Sequence, residues 1–191
     1  PIAVAVATSS PRAAEALDAI PRLPQVERRS GPTGWTLFQA PQQALVRTAG
    51  GSPVPLTRVE PNRQPQDVAR LMDGTVASAW GSGADQRGDE VITIDLGAAR
   101  EVRAVVFRMG AFAFGFPRQL AIDGSTDAGT WSPVWAGPTV IQALHAALVD
   151  PGEVPLTIAF APTEARYLRL RQTGREVGIP WWIGELQVLA P

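Results

Sequence analysis

Val91-Ile92-Thr93-Ile94-Asp95-Leu96 decides the fold. Ile92, Ile94 and Leu96 fall on one side of an extended chain, and Val91, Thr93 and Asp95 on the other. Asp95-Leu96-Gly97 then ends the strand in a turn. Downstream, Val102–Met109 is β-branched and aromatic, and Leu120 and Ile122 alternate with Gln119, Ala121 and Asp123. Val154, Leu156, Ile158 and Phe160 alternate with Pro155, Thr157 and Ala159, and residues 167–170 and 186–189 supply two more strands. Short strands separated by Gly, Pro and Asp turns predict an all-β, antiparallel β-sandwich or jelly roll. Within it, residues 140–149 (VIQALHAALV) place Ile141, Leu144 and Leu148 at helical spacing, which predicts one short helix.

Upstream the pattern changes. Residues 2–8 are an apolar run of strand length. Ser10-Pro11 is a helix start, with Ala13, Leu17 and Ile20 on one face, and Pro21 and Pro24 end it. Residues 25–29 and 35–40 predict a hairpin. The reading is therefore a small N-terminal α+β appendage over residues 1–50 (strand, helix, strand, strand), a linker-like Gly50-Gly51-Ser52-Pro53, and the sandwich over 51–191. Some 45 residues are marginal for an independent fold, so the appendage is expected to pack on a neighbour or to belong to a larger unit.

Composition removes several chemistries. Of the 191 residues, 45% are apolar and 18% charged, enough for a buried core. No apolar run reaches the roughly 18 residues of a membrane helix. The net charge of −1 argues against a nucleic-acid partner, which demands clustered positive charge. There is no Cys, one His (His145) and no Lys, so thiolate, Schiff-base and P-loop lysine chemistry and a histidine-rich metal centre are excluded. The 18 Gly and 18 Pro suit many turns. No nucleophile motif accompanies His145, and no pattern sets two carboxylates across a cleft, so the segment is expected to be non-catalytic. The chain starts at Pro1 with no signal-like segment, and the expectation is a piece of something longer.

The order of motifs carries a resemblance. Leu71-Met72-Asp73-Gly74 precedes Ser78-Ala79-Trp80. Asp95-Leu96-Gly97, Phe116-Pro117, Ser125-Thr126-Asp127 and Trp131 follow, then Ala165-Arg166-Tyr167-Leu168-Arg169-Leu170 and Trp182-Ile183-Gly184-Glu185-Leu186. From about residue 55 to 190 the chain resembles the discoidin, or coagulation factor 5/8 type C, family. That family's galactose-binding-like jelly roll also includes many bacterial carbohydrate-binding modules. The resemblance implies a non-catalytic domain that binds a glycan, a lipid or a protein through loops at one end. Trp80 and Trp131, large apolar bodies, are assigned to the core. The first 48 residues are loosely similar to soluble segments of bacterial membrane-embedded glycosyltransferases. Together these imply an extracytoplasmic carbohydrate-binding module, anchored to a membrane through a parent chain. The alternative is a structural or protein-contact domain attached to such an enzyme.

The resemblance also implies a structural calcium ion held by Asp73, Ser78 and Glu185 with the carbonyls of Arg70 and Thr75. Such a mixture of oxygens suits a hard cation. The chain departs from the family pattern at Thr75 and Ala77, where acidic or amide residues are common, which lowers the negative charge. The bland alternative is that Asp73 caps a turn and Glu185 pairs with an Arg. For a sugar, an aromatic plate and fixed polar groups are needed. The candidates are Asp85 and Arg87 in the loop 81–90, and Phe112 and Phe114 in the loop 110–116. Trp181 and Trp182 are neighbours on a strand and face opposite ways, so one of them is open to a ligand, and Trp181 is the candidate. Core packing of the Phe residues and a solvated turn at 81–90 are the competing readings. If the strands 91–96 and 102–109 are antiparallel, Arg87 and the Phe loop share one end of the sandwich.

Overall fold

The computed structural model describes residues 50–191, together with the backbone of three strands in residues 1–49. Those strands, β1 (Ile2–Ala7), β2 (Glu27–Ser30) and β3 (Trp35–Ala40), form an antiparallel sheet in the order β1-β3-β2. The helix expected from Ser10 to Ile20 lies outside the described residues.

From Ser52 onward the chain is β-rich, as the alternation predicts. The strands are β4 (Ser52–Val54), β5 (Arg58–Pro61), β6 (Trp80–Gln86), β7 (Val91–Arg108), β8 (Gln119–Ser125) and β9 (Ser132–Pro138). They continue with β10 (Pro155–Gln172), β11 (Glu176–Ile183) and β12 (Glu185–Ala190). The main ladder runs β4-β12-β7-β10-β8-β9, with β5 also on β7, and β6 and β11 make a separate antiparallel ribbon.

β7 and β10 are each 18 residues long, and they organise the molecule. The stretches 91–96 and 102–109 are successive parts of this one strand, not neighbouring strands as the sequence suggested. Both pair with β10, and the register slips between Ala159 and Thr163 and between Ala165 and Tyr167. Residues 97–99, between the two halves, are exposed. Ile92, Ile94 and Leu96 from the first half nevertheless share one core with Val105, Phe107 and Met109 from the second. Inward residues of a single ladder meet in this way only if the ladder folds over at the bulges, so that its halves become two facing layers. Val91 and Met109 thereby return to the same end. The expected meeting of the Arg87 and Phe loops holds, by folding of one strand instead of pairing of two.

The centre of the core is aromatic. Trp181 stands edge-on to Trp80 at 5.6 Å and to Phe107 at 6.1 Å, and all three are fully buried. Trp80 is therefore a core residue as expected. Trp131 is not. Asp127 closes the preceding turn by accepting from the N–H groups of Gly129 and Thr130. Trp131 follows that turn half-buried, with the Arg169 guanidinium 4.4 Å over its ring. Arg169 and Arg171 both pair with Asp123. Burial would push the Asp123 carboxyl up, but hydrogen bonds and charge from Arg171, then Arg169, outweigh it and hold the group below the usual carboxylate range. The helix expected at residues 140–149 is present, from Val140 to Val149.

Candidate functional site

The end of the sandwich opposite the β4–β12 pairing carries the polar and aromatic groups singled out above. Most of the expected loop 81–90 is in fact strand: β6 pairs with β11, with Gly81 opposite Trp182 and Asp85 opposite Pro180. Gln86 anchors this ribbon and is itself buried. Its Nε2 donates to the Phe116 carbonyl at 3.1 Å, while its Oε1 accepts from the Arg118 backbone N–H at 3.0 Å and from Gln172 Nε2. A single amide thus joins the ribbon, the Phe loop and the end of β10.

A cavity of about 200 Å³ opens on the ribbon, lined by Arg63, Gln64, Ser82, Asp85, Arg87 and Glu90 among others. Glu90 is buried and committed to the turn, accepting from the N–H groups of Arg87 at 2.8 Å and Gly88 at 3.0 Å. Arg63 is tied to Asp89 at 2.6 Å. Arg87 is exposed and Asp85 half-buried, and among the described residues neither side chain is held in a hydrogen bond or ion pair. The cavity therefore presents one free cationic donor and one free anionic acceptor. Its wall is held in a costly conformation. Gln64 has φ 44° and ψ 53°, a left-handed backbone that a non-glycine residue adopts at some energetic expense. Gly83 faces it, and any side chain there would strike the Gln64 amide.

The aromatic surface differs from the expected one. Trp181 is fully buried in the core. Alternation along β11 puts its neighbour Trp182 outward instead, half-buried and stacked on Phe112 at 5.4 Å with 30° between the rings. Neighbouring residues do face opposite ways, but which one faces in depends on the β6–β11 register, and no local sequence signal states it. Trp182 lies in a slot floored by glycine. A Cβ on Gly81 would come within 2.6 Å of its ring, and one on Gly115 would also strike it. The Phe loop is a 3-10 turn, Gly110–Gly115, which leaves Phe114 57% exposed. Phe112 and Phe114 thus reach the surface, and Phe116 sits under the Arg118 guanidinium at 4.0 Å.

The five residues assigned to a cation fall in one region. Ser78 Oγ donates to Asp73 at 2.5 Å, the Thr75 N–H donates to the same carboxylate at 3.0 Å, and the Gly74 N–H donates to Glu185 at 2.9 Å. The Ser78 hydroxyl, then the Thr75 amide, hold the Asp73 carboxyl below its ordinary range. Glu185 is pushed up, by burial first and also by the negative charge of Asp73, against the Gly74 amide. Arg70 donates to the Ala79 carbonyl at 3.3 Å and pairs with Asp67. Two carboxylates in electrostatic reach, with a hydroxyl between chain turns, are oxygen donors of the kind a hard cation takes. Among the described residues, no three His, Asp or Glu side chains converge.

Comparison with known proteins agrees with this architecture. The family model of the F5/8 type C domain matches residues 56–185. No curated protein matches the chain. Among solved structures, the CBM32 of AlyQ in complex with 4,5-unsaturated mannuronic acid is similar at TM-score 0.58 and 20% identity, covering 73% of this chain and 99% of that one. CpGH89CBM32-5 from Clostridium perfringens, in complex with GalNAc-β-1,3-galactose, has TM-score 0.56 and 18% identity, covering 73% and 100%. A chitosan-binding module from the chitosanase/glucanase of Paenibacillus sp. IK-5 has TM-score 0.55 and 20% identity, covering 74% and 100%. At such identities the likeness is one of fold.

Proposed function

The chain belongs to the F5/8 type C domain family, and on that premise we propose that it is a non-catalytic carbohydrate-binding module. The observation that carries the reading is the pairing of a free donor and a free acceptor, Arg87 and Asp85, in one small cavity, with the Phe112–Trp182 stack on the same ribbon. A pyranose offers adjacent hydroxyls, which donate and accept, and an apolar C–H face. Arg87 takes hydroxyl lone pairs, Asp85 takes hydroxyl protons, and the aromatic stack receives the ring face. A cavity of about 200 Å³ is below the usual range for drug-sized ligands and suits a single ring. The glycan complexes of the AlyQ and Clostridium perfringens modules support a sugar as the ligand class.

Calcium belongs to the same proposal. Asp73, Ser78 and Glu185 would hold it, with the carbonyls of Arg70 and Thr75. Bound, the ion would neutralise two carboxylates that otherwise face each other. The module is further proposed to work outside the cytoplasm, joined to a longer membrane or cell-surface protein. Fractionation of cells that carry the full-length parent tests this, and a cytosolic segment sinks it.

A glycan array followed by calorimetry tests the binding itself. An open single-ring site is expected in the millimolar range, about −4 kcal/mol. Loss of one contact then removes detectable binding, so Arg87→Ala, Asp85→Ala and Trp182→Ala should each abolish the heat. A protein-contact function is favoured instead by Phe114, 57% exposed, and Val177, 87% exposed, which are large apolar side chains beside the Arg118–Glu176 ion pair. A blank glycan array would leave that reading standing.

A further inference from the structure

The helix Val140–Val149 has two apolar faces, and only one of them serves the sandwich. Its ten residues contain no Asp, Glu, Lys or Arg. Ala146 is fully buried and Ala143 packs against the core, so small side chains face the sheets. At 3.6 residues per turn, Ile141, Leu144 and Leu148 lie on the opposite side. Large residues on the side away from the core would ordinarily be exposed. All three are instead half-buried. Something other than the sandwich core covers them, and the backbone of β1 lies against this helix.

The helix is also joined at both ends to the aromatic loop. At its start, Thr139 donates its N–H to the Arg118 carbonyl at 3.3 Å and its hydroxyl to the Pro117 carbonyl. Beyond its end, the Glu153 carbonyl accepts from the N–H groups of Met109 at 3.0 Å and Gly110 at 2.9 Å. The loop 110–118, with Phe112 and Phe114, is thus pinned at each end to a residue flanking the helix.

We infer that the Ile141–Leu144–Leu148 stripe is the seat of the N-terminal β1-β3-β2 sheet, and that this internal docking steadies the aromatic loop through the two pinned ends. The β1-β3-β2 sheet is then a fitted part of the module, not a tethered one, and its attachment sets the order of the loop next to the cavity.

The test uses the full chain and hydrogen exchange. Leu144→Glu and Leu148→Glu place charge on the outer stripe and leave Ala143 and Ala146 in place. Amides of β1 and β3 should exchange at least about tenfold faster in these variants, as local opening demands, and amides of 110–118 should follow, while β8 stays protected. Unchanged exchange in β1 and β3 would overturn the docking. Faster exchange there with an unchanged loop would overturn the link to the site. As the chain has no Cys, spin labels at Ala5→Cys and Ala147→Cys provide a second measurement. One narrow, short distance is expected, broadened by Leu144→Glu, and a broad distribution in the otherwise unaltered chain would refute the seat.

Discussion

Replacing Gln86 by Ala should cost far more than one polar side chain ordinarily does. Gln86 and Gln172 are both buried, and the Gln86 amide serves three partners. The Phe116 carbonyl would survive the change, because Arg118 Nη1 also donates to it at 3.1 Å. The Arg118 N–H and the Gln172 amide would each lose the acceptor that Gln86 supplies. A buried polar group left unpaired costs about 1–3 kcal/mol, which the Gln172 amide bears in full and the half-buried Arg118 N–H in part, so the loss is about 2–4 kcal/mol. Against a total stability of about 5–15 kcal/mol, that is a large share. For a domain of this size each kcal/mol lowers the melting temperature by about 2–4 °C, which gives a drop of the order of 10 °C. Urea unfolding followed by Trp fluorescence measures it. A loss under about 1 kcal/mol in Gln86→Ala would refute the reasoning, because it would mean that water or repacking meets both groups.

The two adjacent tryptophans should separate cleanly: Trp181→Ala lowers stability by about 3–5 kcal/mol in chemical denaturation, whereas Trp182→Ala folds and loses glycan binding in calorimetry. Calcium at 100 times its dissociation constant should add about 2.7 kcal/mol if it binds only the folded chain, and identical melts in calcium and chelator would remove the ion. Asp123 is held below its unfolded value, so its contribution is present above that value, near pH 4, and is lost as pH falls through the lower folded one. Asp123→Asn should therefore flatten the acid limb of the stability curve, measured by melts from pH 6 to pH 2. Gly83→Ala combines a positive φ with a collision against Gln64, and should weaken sugar binding in calorimetry before it unfolds the domain.

Alternation in Ile92, Ile94 and Leu96 was enough to define a half-buried strand, and the spacing of Ile141, Leu144 and Leu148 enough to define a helix. Both depend on local periodicity, which sequence displays directly. Trp181 and Trp131 depart from the sequence expectation for the complementary reason. Whether Trp181 or Trp182 faces inward is settled by the pairing of Gly81 with Trp182, a contact between residues about 100 positions apart. Trp131 looks like a core residue by size, but the Asp127 turn places it at the sandwich edge, where its ring nitrogen donates to the Ala128 carbonyl and Arg169 lies over its ring. Asp85 and Arg87 could be read as polar groups on a turn. The commitment of Glu90 and Arg63 elsewhere, which leaves those two free, is a property of the folded network.

The pairing of β4 with β12 sets Ser52 beside Ala190, so the sandwich is entered and left at one point, with the cavity at the far end. Mechanically, it is a hook whose two legs share a single attachment. A load between the cavity end and this base crosses the long strands β7 and β10. A load between the two legs, in contrast, peels the three residue pairs of β4 and β12 one after another. The fold therefore resists tension along its long axis and yields easily across its base.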